Sequence, residues 1–202
     1  MRDLSSFARF LHEIGVLLGS FIDLTKLSNR AKISRHAAPR YFEILEDSMI
    51  GLRLYPFAGR EHGLDLVKHP KFYLFDNGVA NGMLGNFTAS RDRIGVLAEQ
   101  LVLSQLVHSS WARDTDTAVS TFRTRSGVEV DYIVEQSNKL FPIEVKAADD
   151  VVSDDLAGLS FFNEHFKESI GASFVFHMGK TSRKFGKIWS LPWQEGLREI
   201  GL

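Results

Sequence analysis

The sequence predicts a mixed α/β chain of the α+β kind in two parts: a winged helix-turn-helix pattern over residues 1–85 and a mixed sheet flanked by helices over residues 86–202. Three observations predict it. Apolar residues recur at spacings of three and four through the first 45 positions, and two β-type stretches follow them. Beyond residue 94 the order is one apolar helix, three closely spaced alternating strands, a helix and a strand, which describes a small α/β domain.

Leu4, Phe7, Phe10, Leu11, Ile14, Leu17 and Leu18 mark one face of a helix over residues 4–18, ended by Gly19 and Ser20. A second short helix fits residues 24–31. Ser34 reads as the N-cap of a third, whose apolar positions include Ala38, Tyr41, Phe42, Ile44 and Leu45. Pro39 inside that helix removes a hydrogen bond and clashes with the preceding turn, so the helix is kinked or begins nearer to Pro39. Residues 49–57 and 72–75 read as two strands, separated by a polar stretch with Gly59, Gly63 and Pro70. Asp76-Asn77-Gly78 ends the second strand, a short helix follows, and the polar residues 86–93 form the expected boundary. Residues 94–107 are apolar nearly all round, as in a buried helix. Strands are then expected at 120–123, 128–135 and 140–147, a helix carrying Leu156, Leu159, Phe161, Phe162 and Phe166, a strand at 173–177, and a last apolar piece near 188–193.

With 44% apolar and 24% charged residues, the 202-residue chain can bury a core and is no disordered tail. Cysteine is absent, which excludes disulfides, a thiolate nucleophile and sulfur-ligated zinc. The formal charge is −1, so any nucleic-acid contact must come from a local basic patch. Such a patch lies between positions 26 and 40, where Lys26, Arg30, Lys32, Arg35 and Arg40 occur with no acid; it suits phosphate contact with DNA, or a solvated helical face. Met1-Arg2-Asp3 begins no signal peptide, and no apolar run approaches the ~20 residues of a membrane span, so a soluble cytoplasmic protein is expected. None of the seven histidines stands at zincin spacing, and no Gly-x-Ser-x-Gly occurs.

The chemistry-bearing candidates are Asp131, Glu144 and Lys146. A period of two sends Glu144 and Lys146 to one face of their strand, and Glu129 and Asp131 to one face of theirs. A turn of two or four residues centred on 136–139 makes paired residue numbers sum to 275, which sets Asp131 opposite Glu144 and Glu129 opposite Lys146. A three-residue turn would spoil that opposition. Two facing carboxylates repel unless a cation or a proton lies between them, and magnesium, commonly held by one or two carboxylates with water and phosphate, answers the need. The bland alternative is a solvated face with Glu129 paired to Lys146. Glu99 is the one ionisable residue between Ile94 and Leu103 and, if buried, needs a partner, for which Lys146 and the metal are the candidates.

Glu99 on a helix, then Gly127-Val128-Glu129-Val130-Asp131, then Phe141-Pro142-Ile143-Glu144-Val145-Lys146, resembles the motif order of the PD-(D/E)xK restriction-endonuclease-like fold. The whole chain, over residues 4–180, is similar to the domain that follows the ATPase core in many bacterial and archaeal AAA-type ATPases, where stretches like Arg40-Tyr41-Phe42-Glu43-Ile44-Leu45-Glu46-Asp47, Lys71-Phe72-Tyr73-Leu74-Phe75-Asp76 and Phe122-Arg123-Thr124-Arg125-Ser126-Gly127 recur. The resemblance implies metal ligation by Asp131 and Glu144, a catalytic Lys146 and a helix-borne acid at Glu99, in a DNA-associated module with a magnesium-dependent phosphodiester-cleaving site. The other expectation is a non-catalytic module that tethers an ATPase to DNA or to a protein. These 202 residues contain no Gly-x-x-x-x-Gly-Lys-Ser/Thr loop, so the ATPase core is expected elsewhere.

Overall fold

A computed structural model describes residues 4–58 and 63–202; Met1-Arg2-Asp3, Gly59 and His62 lie outside the described residues. It is a mixed α+β protein with seven α-helices and eight strands among the described residues. The chain forms two compact units: Met1–Tyr55 with His69–Gln100, and Pro56–Lys68 with Leu101–Leu202.

The first unit begins with helices α1 (Leu4–Val16), α2 (Leu24–Ala31) and α3 (Ala37–Asp47). Asp23 starts α2 by accepting the Thr25 and Lys26 backbone N–H groups at 2.8 and 3.1 Å, which satisfies donors that a helix start leaves bare. Ser34 is not the cap of α3. Its carbonyl accepts the Ala37 N–H at 3.0 Å in the turn before the helix, and His36 stands at the cap position. Pro39 is therefore the third residue of α3, in the first turn, where its missing N–H has no partner to lose. The antiparallel strands β1 (Gly51–Leu54) and β2 (Lys71–Leu74) follow, then α4 (Asn77–Leu84), capped by Asp76. Phe10, Ile14, Leu27, Phe42, Leu45 and Phe72 are among the residues that fill this unit's core.

The segment joining β1 to β2 belongs to the second unit. There β3 (Thr117–Arg123) is the outer strand of a six-stranded mixed sheet of order β3-β4-β5-β6-β8-β7, with β4 (Glu129–Gln136), β5 (Lys139–Lys146), β6 (Ser173–His177), β7 (Arg183–Phe185) and β8 (Ile188–Pro192). The Phe57 N–H donates to the Thr121 carbonyl at 2.7 Å and the Val67 N–H to that of Arg123 at 2.8 Å. An open strand edge is a template for unwanted pairing, and these bonds cover it. Strand β7 has no counterpart in the sequence reading: three residues with two adjacent charges show no alternation.

Between β4 and β5 the paired numbers sum to 275, as in Tyr132–Ile143 and Gln136–Lys139. The turn has two residues, Ser137 and Asn138, both left-handed with φ of 50° and 59°, the geometry that matches the twist of the flanking strands. Strands β5, β6 and β8 run parallel. A short 3₁₀ turn, Ser153–Leu156, leads into α6 (Ala157–His165), and α7 (Trp193–Glu199) closes the fold. Leu159 and Phe162 of α6 pack with Leu140 and Val175 on one face of the sheet; a side chain at Gly196 of α7 would run into Phe176, whose alternation places it on the other. Helix α5 (Ile94–Ala112) contributes residues to both units.

Phe162 lies edge-on to Phe57 and Phe122 and stacked on Phe166, fully buried. Phe162→Ala removes the centre of that aromatic group, and a loss of about 3–5 kcal/mol is expected, read as a lower denaturant midpoint.

Candidate functional site

The sequence candidates of the second unit gather where β4 meets the end of β5. Ser120 pairs with Ile133 but Phe122 with Val130, so on β4 the two residues Asp131 and Tyr132 oppose Thr121 alone. That is a β-bulge, a device that kinks a strand and re-aims a side chain. The ladder with β5 ends at Tyr132–Ile143, one step short of the expected Asp131–Glu144 pair. In a continued ladder the Val145 N–H would point at the Val130 carbonyl. Instead it donates to Asp131 Oδ2 at 2.9 Å, and Asp131 is only 6% exposed.

Glu144 and Lys146 share a face, and Lys146 Nζ donates to Glu144 Oε1 at 3.1 Å. A second acid, which the sequence reading missed, also holds this ammonium: Asp155 Oδ1 lies 3.4 Å from Lys146 Nζ. Asp155 sits in the 3₁₀ turn before α6, and its Oδ2 accepts the Val152 N–H at 3.0 Å. An acid three residues after the start of a helical segment was the one available signal; the spacing shows a back-bond but not the strand beneath it. Helix α6 can come this close because its second residue is Gly158, where a Cβ would collide with the Glu129 carbonyl. Burial works against a charged Lys146, but Glu144, by charge and hydrogen bond, then Asp155 and Asp131 outweigh it and raise the amine above its ordinary range.

Glu129 is matched in register with Arg123 of β3, and the two form a 3.0 Å ion pair. The bland alternative had paired Glu129 with Lys146, whereas Lys146 meets Glu144 and Asp155. Glu99 falls in the first unit: the Tyr73 hydroxyl donates to its Oε2 at 3.0 Å, and the buried Lys71 Nζ stands 4.0 Å from the same oxygen. Sequence reasoning named neither partner, because both come from β2.

The donor set of Asp131 and Glu144 is all oxygen and partly buried, the chemistry of a hard divalent cation. Among the described residues no group of three or more His, Cys, Asp or Glu is placed to hold a metal ion. An ion held by this pair alone would keep water or phosphate in its remaining positions. Lys146 already supplies one positive charge to these acids.

The basic candidates Lys26, Arg30, Lys32, Arg35 and Arg40 are all exposed in the first unit. Arg30 is committed to Glu13 at 2.7 Å. Lys32 ends α2 in a left-handed conformation. Arg40 shares the outward side of α3 with Glu43 and Asp47, so that helix presents mixed charge.

On β6, His177 is the register partner of Lys146. It is 1% exposed, and its Nδ1 accepts the Gly179 N–H at 3.0 Å. Burial pushes its pKa down, against the hydrogen bond at the Thr181 backbone and the charges of Asp150 and Asp149. A histidine depressed in the fold contributes stability above its unfolded value, about 6.5, that is lost as pH falls through that value toward the folded one. Denaturant midpoints should therefore drop between pH 7.5 and 5.5 in the native chain, and by less in His177→Asn. Asp131→Ala, which strands the Val145 N–H, should cost about 1–3 kcal/mol in the same measurement, whereas Asp131→Asn, which keeps an acceptor, should cost less.

No helix among the described residues is long and apolar enough to cross a membrane. No curated protein matches the chain. Residues 1–90 match the family model described as Domain of unknown function (DUF8612). Residues 94–195, which include β3 to β8 and the whole Asp131, Glu144, Lys146 and Asp155 group, match that of Domain of unknown function (DUF4143). With half of its length matched by that second model, the chain belongs to the DUF4143 family.

Proposed function

We propose that this chain is a DNA-associated module with a PD-(D/E)xK-like, magnesium-dependent phosphodiester-cleaving site, resembling the part of an AAA-type ATPase that follows the ATPase core. The ATPase core acts from another segment or chain. The observation that carries the reading is the convergence of Asp131, from a bulge, with Glu144 and Lys146 at the end of one parallel strand. In this reading the domains are a winged helix at 1–85, supported by the order of three helices and a two-stranded ribbon, and a nuclease-like domain at 86–202, supported by the mixed sheet with helices on both faces.

Asp131 and Glu144 would hold the cation, which when bound supplies Lewis-acid stabilisation to a phosphate oxygen. Lys146, kept charged by its acidic neighbours, steers the attacking water or stabilises charge that develops on the phosphate. Glu99 enters this scheme as the helix-borne acid on the strength of motif order alone. Lys26, Lys32, Arg35 and Arg40 are offered to the phosphate backbone, with Arg30 released from Glu13 as the cost of its contact. Of the residues between β1 and β2, where a wing would lie, Phe57 and Val67 have N–H groups already bonded to β3 and so do not offer them to phosphate.

A second reading, a non-catalytic module that tethers an ATPase to DNA or to a protein partner, is favoured by one observation: Lys146 already balances the acids without a metal. Supercoiled plasmid distinguishes the two. The first expects nicking with Mg²⁺, none with chelator, and a loss of about 10²–10³-fold in Lys146→Ala. Retention of DNA without Mg²⁺ and without cutting by either protein overturns the first and supports the second.

A further inference from the structure

We propose that Asp155 is a positioning residue for Lys146: it is the acceptor that keeps the ammonium in the pocket when a divalent cation engages Glu144. The inference rests on the reading of Asp131 and Glu144 as cation ligands. Lys146 Nζ is bonded to Glu144 Oε1 at 3.1 Å, so a cation that takes this carboxylate meets a positive charge already on it. One of the two must yield. A lysine with no second acceptor would either compete with the cation or swing out to solvent, and in neither case would the site hold cation and ammonium at once.

Asp155 removes that conflict. Its Oδ1 is 3.4 Å from the same Nζ, so a small rotation of the flexible lysine stem moves the bond from Glu144 to Asp155. Asp155 itself does not need to move. Its Oδ2 is held by the Val152 N–H at 3.0 Å, and the helix it leads into rests on β4 through Gly158. Two plainer roles compete: a local brace for the start of α6, or a third ligand to the ion.

Calorimetric titration of Mn²⁺ into the full chain separates these roles, using the native protein, Asp155→Asn, Lys146→Met and the double variant. Asn retains an oxygen for the Val152 N–H, so the helix start survives. Asp155→Asn should weaken Mn²⁺ binding by about tenfold, the low end of the effect of residues that orient metal-site groups. In the Lys146→Met background the same change should have an effect under about twofold, because Asp155 acts through Lys146. Native affinity in Asp155→Asn overturns the proposal and leaves the cation reading standing. An equal loss with and without Lys146 also overturns it, in favour of direct ligation. Absence of Mn²⁺ binding by the native chain overturns both. If Asp155→Asn unfolds, Asp155→Glu takes its place: restored charge should restore the affinity, and a tenfold loss in a folded Asp155→Glu sinks the proposal.

Discussion

The pairing of β4 with β5 is the constraint on which the site depends. Side chains alternate with a period of two, so a slip of one residue would send Glu144 and Lys146 against different neighbours and turn the apolar set of β5 out of the core. Two features hold the register. Ser137 and Asn138 close the hairpin in left-handed conformations, which fixes the count at one end. Leu140 of β5, buried with Ile133 of β4 under α6, would be exposed by a slip. At the other end the ladder is broken on purpose by the bulge, and the Asp131 carboxylate takes the place of the missing backbone acceptor. One side chain thus completes the backbone hydrogen bonding of a buried strand and brings a negative charge to the pocket.

That charge explains the arrangement around it. Asp131, Glu144 and Asp155 surround a single lysine, and each raises the preference of Lys146 for its charged form against the cost of burial. Acids grouped this closely are tolerable only with positive charge among them, and Lys146 provides one unit. With three acids about one lysine the group stays net negative, which is the feature the proposed cation would answer. Burial holds the pKa of the nearby His177 below its ordinary value, which disfavours a further positive charge there.

The first unit distributes its charge differently. Its basic residues are on the surface around α2 and the turn before α3, while α3 itself adds Glu43 and Asp47 to its outward side. In the DNA-binding reading, phosphate contact would fall to the α2 region more than to α3, which lacks the uniform positive face that a groove-inserted helix would use. The connection between β1 and β2 is spent on closing the edge of β3, where paired backbone groups also protect the sheet from strand-to-strand association.

Much of this was legible in the residues. The three- and four-residue spacing located α1 to α3, alternation located β4 and β5, and a short polar turn implied the register that brings Glu144 near Asp131, because these patterns follow from helix and strand geometry over neighbouring positions. What the residues could not reveal depends on distant packing. The bulge opposite Thr121 is set by β3, and Asp155 meets Lys146 only because Gly158 lets α6 settle on β4. Lys71 and Tyr73 reach Glu99 across a separation in sequence of more than 25 residues, and the strand edge at β3 is covered by a segment from between two other strands. Local periodicity determines which elements form and which way each side chain leans. The close approach of one element to another, which sets the final partner of every buried charge, is decided by volume and hydrogen bonding in the assembled fold.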